Sequence, residues 1–153
     1  MDTMPRMTDP IHEQNPLKLL GRIARGFTRI ADVDLREAGL AAGQLPVLVS
    51  LKKSKALSQA ELARIAQVEQ PSMAQLLTRM ERDGLVERVD DPADKRSRLI
   101  SLTPLAARRL PKARALMEAD TQQALTGFSE AEVDQLLALL QRINANVERM
   151  GGG

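Results

Sequence analysis

Residues 57–103 read LSQAELARIAQVEQPSMAQLLTRMERDGLVERVDDPADKRSRLISLT. The stretch opens on Ser58 with Glu61 three residues later, which is the spacing of a capping box at the start of a helix. We predict a second helix over residues 71–83, after a tight turn at residues 66–69. Two short helices joined by such a turn indicate a helix-turn-helix.

The second predicted helix has two chemically different faces. Its apolar residues recur at helical spacing, at Met73, Leu76, Leu77 and Met80. The opposite face carries Ser72, Gln75, Arg79 and Arg82. These polar side chains offer the donors and acceptors that base edges and phosphates require, so we predict that the helix enters a DNA major groove. A solvated surface without DNA contact is the alternative for the two arginines.

A hairpin is predicted after the second helix. Residues 85–89 and 98–102 have the pattern of short strands, joined by a polar loop at residues 90–97, which makes the motif a winged helix-turn-helix. Arg96, near the tip, could reach a minor groove, and Asp94 could hold its guanidinium in a charge-assisted pair. The alternative is a charged surface turn that contacts no DNA.

Long amphipathic helices are predicted on both sides of this motif. Residues 17–35 carry an apolar stripe at helical spacing. Ser129 and Glu132 form a second capping box, and the helix that they open carries an apolar stripe up to the C-terminal glycines. Exposed stripes of this kind mark an interface, so both helices are expected to dimerise.

These elements give one fold class and one division of the chain. We predict a mainly α protein with a small β-hairpin wing, that is, a winged helix-turn-helix with N- and C-terminal dimerisation helices. Residues 41–103 are the predicted DNA-binding lobe, which includes a short helix at residues 44–53. Residues 1–40 and 104–150 are the predicted dimerisation helices.

The composition narrows the class of protein. The 153 residues carry a formal charge of +2, with 27% charged and 43% hydrophobic residues, as in ordinary globular proteins. The sequence has no cysteine and one histidine, His12, so neither thiolate chemistry nor a zinc site is expected. It has no recognisable catalytic set or phosphate loop, so we predict neither an enzyme nor a cofactor. Without a membrane span or a signal peptide, the expected location is the cytoplasm.

Four motifs carry a resemblance to a known family. The chain reads VEQPS at residues 68–72, LLTRMERDGLVER at 76–88, DPADKR at 91–96 and LT at 102–103. These runs resemble the MarR family of regulators, and the EQPS segment is similar to its SlyA-like branch. In the order of its elements the resemblance extends over residues 17–147.

The resemblance implies a homodimer that binds a pseudo-palindromic double-stranded DNA operator and regulates transcription as a repressor. The implied recognition-helix residues are Gln70, Pro71, Ser72, Gln75 and Arg79. The implied wing residues are Asp94, Lys95, Arg96 and Arg98. Many members respond to small anionic aromatic ligands, and the candidate ligand residues here are Arg25, Phe27 and Leu45. A plain interface or surface role is the alternative for Arg25.

The charge of the predicted lobe leaves a second function open. From Glu69 to Arg98 the sequence holds seven acidic and six basic residues, so the lobe is not a basic patch. A winged-helix protein-interaction module without DNA binding would have this balance. Salt-dependent binding to duplex DNA distinguishes the two, because phosphate contacts release counterions.

Overall fold

The computed structural model describes residues 9–11 and 13–152, so His12 lies outside the described residues. It confirms the predicted fold class of a mainly helical chain with a small antiparallel sheet. The helices are α1 (Pro16–Leu35), α2 (Leu45–Ser54), α3 (Gln59–Ala66), α4 (Gln70–Arg82), α5 (Pro104–Ala124) and α6 (Glu130–Gly151). The strands are β1 (Ala56–Leu57), β2 (Val86–Asp91) and β3 (Asp94–Leu102), and short 3-10 helices cover Arg36–Ala38 and Ala42–Gln44.

Local capping signals explain where the long helices begin. Asn15 caps α1, because its side chain accepts a hydrogen bond from the backbone N–H of Leu17. At α6 the predicted capping box is complete, since the Ser129 hydroxyl accepts from the N–H of Glu132 and the Glu132 carboxylate accepts from the N–H of Ser129. Both arrangements satisfy backbone donors that a helix start leaves free.

The capping box at Ser58 is only half formed, which corrects the sequence prediction. The Ser58 hydroxyl accepts from the backbone N–H of Glu61, as expected. The Glu61 carboxylate, however, accepts from that same hydroxyl at 3.1 Å and not from the Ser58 backbone. The turn to α4 places Gln67 in the left-handed region at φ 55°, and the N–H of Val68 donates to the carbonyl of Ala63.

The sheet differs from the predicted hairpin in two ways. The third strand, β1, was not predicted, and it pairs with β3 in the order β1-β3-β2. The prediction of a polar loop over residues 90–97 is wrong, because β2 continues to Asp91 and β3 begins at Asp94. The turn itself is therefore only Pro92 and Ala93, with Asp91 opposite Asp94.

One hydrophobic core joins the helix-turn-helix to its neighbours. Its residues come from α1 to α5 and the sheet, with Leu35, Leu48, Leu62, Met73, Leu77, Ile100 and Leu110 among the most buried. The chain divides into two compact units, one ending at Met117 and one beginning at Glu118. The division of the chain at 40/41 and 103/104 stays a prediction, and the end of α1 and the first half of α5 contribute to the same core as the lobe. None of the helices among the described residues combines the length and the apolar composition that a membrane span requires.

Candidate nucleic-acid interface

Helix α4 presents a polar face because its apolar side chains are buried in the core. Met73, Leu77 and Met80 are each 0% exposed. All five recognition-helix residues predicted from the sequence are exposed, namely Gln70, Pro71, Ser72, Gln75 and Arg79. The core contacts fix the rotation of the helix, so the exposed face is the one available to a ligand.

One further residue of this face was not singled out from the sequence. Thr78 is exposed and lines a shallow groove together with Ala74, Gln75 and Arg79. Its hydroxyl donates to the carbonyl of Ala74 at 2.9 Å, so the oxygen can still accept a hydrogen bond. The helical spacing of Thr78 from Gln75 was the signal that could have identified it.

The wing carries an irregularity next to its tip. Asp90 is paired with Arg98, whereas the next residue, Asp91, is paired with Asp94. Three residues of β3, numbered 95–97, therefore have no opposite partner in β2. Such a bulge re-aims side chains that a regular strand would alternate between the two faces of a sheet, and Lys95 and Arg96 are exposed there.

Two aspartates fix the backbone of this bulge. Asp91 accepts from the N–H of Ala93 at 2.9 Å and from the Ser97 hydroxyl at 3.0 Å. Asp94 accepts from the backbone N–H of Arg96 at 2.9 Å. The predicted pairing of Asp94 with the Arg96 guanidinium is not formed among the described residues. Asp94 orients Arg96 through its main chain, and the guanidinium stays free to extend.

The basic residues of the lobe fall into those that form ion pairs and those that do not. Glu81 pairs with Arg88 at 2.9 Å, Asp83 with Arg82 at 3.5 Å, and Asp90 with Arg98 at 3.8 Å. Arg98 also donates to the carbonyl of Arg88 at 3.4 Å, so it is tied along the wing. Within the described region, the basic residues of α4 and the wing that make no ion pair are Arg79, Lys95 and Arg96. Four carboxylates of the same stretch, those of Glu69, Glu87, Asp91 and Asp94, also lie outside these ion pairs, so the three cations are distinguished by their positions and not by an excess of positive charge.

The groove beside Arg25 is lined by neither of the other two candidate ligand residues. Arg25 is exposed and borders a shallow groove with Ala24, Thr28 and Arg29 on α1. Phe27 follows two residues later, which turns it about 200° around the helix axis, so the two side chains face different directions. Leu45 is half-buried and packs against the core. No cluster of three residues suited to holding a metal ion occurs in the described part of the chain.

Comparison with known proteins agrees with this geometry. The family model described as MarR family matches residues 40–97, which cover α2 to the wing tip. The HTH-type transcriptional regulator YybA of Bacillus subtilis is 28% identical over 133 residues, which are 87% of this chain and 89% of that protein.

Two solved structures extend the likeness beyond the lobe. Transcriptional regulator PA3341 is 33% identical with a TM-score of 0.74, over 86% of this chain and 97% of that one. A mutant of MarR from E. coli, solved in complex with operator DNA, is 25% identical with a TM-score of 0.77, over 82% of this chain and 91% of that one. These relatives are transcriptional regulators and not enzymes. The chain described here belongs to the MarR family of transcriptional regulators.

Proposed function

We propose that this chain binds a pseudo-palindromic double-stranded DNA operator as a homodimer and represses transcription. The proposal rests on the positions of the three basic residues of α4 and the wing that form no ion pair. Arg79 lies on the exposed face of α4, and Lys95 and Arg96 lie on the wing bulge, so cations are available on both elements of a winged helix-turn-helix. DNA affinity comes largely from such cations meeting phosphates.

Base recognition is assigned to the exposed face of α4. The Gln75 amide can pair with the two major-groove atoms of adenine, and the methyl group of Thr78 can contact the methyl group of thymine. Ser72 supplies a hydroxyl that suits a base edge or a phosphate. Arg96 suits the negative potential of a narrow minor groove, since Asp94 holds its backbone and leaves its guanidinium free.

The dimeric state is supported by apolar surface in both compact units. In the first unit, α1 exposes Leu19, Ile23, Ile30 and Val33, which recur at helical spacing and are 50–58% exposed. In the second unit, α6 has no buried residue, and its Leu137 is 53% exposed. A soluble monomer rarely leaves apolar stripes of this length uncovered, and a second copy of the chain would cover them.

Release by a small anionic aromatic ligand belongs to the same proposal, and it rests on the family resemblance. The placement in the SlyA-like branch also stays a prediction. Arg25 is the residue that could hold a carboxylate, and Phe27 could contribute only from another direction or another protomer. A ligand can lower DNA affinity only if it binds the two arrangements of the dimer with different affinities. A titration of the DNA complex with salicylate tests this part separately.

The experiment that tests the proposal is selection of bound duplexes from a random pool. We expect a pseudo-palindromic site with half-sites about one helical turn apart, roughly 34 Å, because a two-fold dimer places both α4 helices on one side of the duplex. A pool that stays random after several rounds would favour the protein-interaction module.

A further inference from the structure

A basic cleft lies outside the recognition helix and the wing. It is formed by the turn after α1 and the first half of α5, and it encloses about 380 Å³. Its lining includes Arg36, Glu37, Gly39, Arg108, Arg109 and Lys112. Four of these six residues are cations, and they come from segments about seventy residues apart in the sequence.

Backbone carbonyls of the turn after α1 accept hydrogen bonds from two of the cations. Arg109 donates from Nη1 to the carbonyl of Gly39 at 3.3 Å, and Lys112 donates from Nζ to the carbonyl of Glu37 at 3.5 Å. Gly39 has a φ of +69°, and a Cβ placed on it would lie 2.9 Å from both Cζ and Nη1 of Arg109. Glycine therefore meets two demands here, a left-handed backbone and the close approach of a guanidinium.

The charge of the cleft is unbalanced. Arg36, Arg108, Arg109 and Lys112 face a single carboxylate, that of Glu37, and none of the five forms an ion pair within the described residues. Like charges held in one concave site repel one another, and the repulsion falls when an anion enters. The lining contains no aromatic side chain, so an occupant would be recognised by its charge and its oxygen atoms.

We propose that this cleft binds a compact polyanion that carries carboxylate or phosphate groups. The two α5 arginines can each offer a planar pair of N–H donors to such a group, and Lys112 adds a point charge. The ligand class differs from the anionic aromatic one considered for Arg25, and the residues are different. The site does not depend on DNA binding, so it can be tested on the free protein.

The experiment is calorimetric titration of the full chain with pyrophosphate and, separately, citrate, at constant ionic strength maintained with chloride. Thermal unfolding is followed in parallel, because a ligand that binds the native state raises the melting temperature. The test variant is Arg108→Gln with Lys112→Gln. The matched control is Arg22→Gln with Arg114→Gln, which removes the same charge from α1 and α5 outside the cleft.

We expect saturable binding of at least one probe to the parent and to the control. The cleft variant should bind it at least roughly tenfold more weakly, since it loses two charged donors. Equal weakening in both variants, or no saturable binding to the parent, would overturn the proposal. The proposal would also be overturned if neither probe bound to the parent and the cleft variant lost affinity for selected and scrambled duplexes alike. That result would mean that these cations contact the DNA backbone.

Discussion

Helices α4 and α6 carry the same kind of apolar stripe, yet of the two only α4 has buried residues. Met73, Leu77 and Met80 of α4 are completely buried. None of the residues of α6 is buried, although its leucines recur at the same helical spacing. Periodicity thus tells which face of a helix is apolar, and it does not tell whether the covering surface belongs to the same molecule. We call α4 a folding element, because its apolar stripe is buried in the core, and α6 an assembly element, because the proposed dimer would cover its stripe.

The largest effect is expected for a core substitution in α4. Leu77→Ala should lower the free energy of unfolding by about 2–5 kcal/mol, because it removes fully buried methyl groups and leaves a cavity. The adjacent Thr78→Ala is the matched control and should change stability by at most about 0.5 kcal/mol. Urea denaturation at one fixed protein concentration measures both. Equal stability of the two variants would contradict the assignment of the core.

The corresponding substitution in α6 should act on assembly. Leu137→Asp would place a carboxylate in the proposed interface at a cost on the order of 2 kcal/mol, which weakens self-association about 30-fold. Gln135→Asp changes the opposite face of the same helix and should leave association unchanged. Sedimentation velocity over a dilution series compares them. If the parent is monomeric at every concentration, α6 is not an assembly element.

A smaller effect is expected at the wing. Arg96→Ala should weaken binding to selected and scrambled duplexes alike, and it should reduce the salt slope of the affinity by about 0.9, because one cation fewer displaces counterions from the DNA. Asp94→Ala should have the same effect more mildly, because the hydrogen bond it removes fixes only the backbone of Arg96. Fluorescence anisotropy at several salt concentrations gives both slopes. Parent-like binding by Arg96→Ala would refute the wing assignment.

The smallest effect concerns the start of α6. Hydrogen bonds from the backbone N–H and the hydroxyl of Ser129 lower the pKa of Glu132, against a weaker opposing effect of desolvation. A carboxyl group whose pKa is lower in the folded state contributes stability above its unfolded pKa and loses it as the pH falls through the folded pKa. Relative to Glu132→Gln, the parent should therefore lose slightly more stability on acidification. Unfolding curves between neutral pH and about pH 3 test this, and identical pH profiles would argue against the capping box.

Local signals made the fold largely predictable from the sequence. The start of α6 follows from Ser129 and Glu132 alone, and the end of α4 follows from Gly84, which adopts a φ of +74°. Such features depend on residues a few positions apart. The exposed face of α4 was likewise predictable, because the opposite face of the helix carries a regular apolar stripe.

What the sequence did not predict depends on contacts between distant segments. Strand β1 has two residues, and it exists because Leu57 pairs with Ile100 of β3. The wing bulge arises from the register between β2 and β3, which no local pattern specifies. The basic cleft forms where the turn at Gly39 contacts α5. Its four cations come from these two distant segments, so no local sequence pattern indicates that they lie together.

Whether the exposed face of α4 distinguishes DNA sequences can be tested with one substitution on two duplexes. The affinities of the parent and of Gln75→Ala are compared on the selected duplex and on a scrambled duplex of equal length, at the same salt concentration. We expect Gln75→Ala to lose about 1–3 kcal/mol of binding free energy on the selected duplex and almost nothing on the scrambled one. Equal losses on both duplexes, or no loss on either, would contradict it.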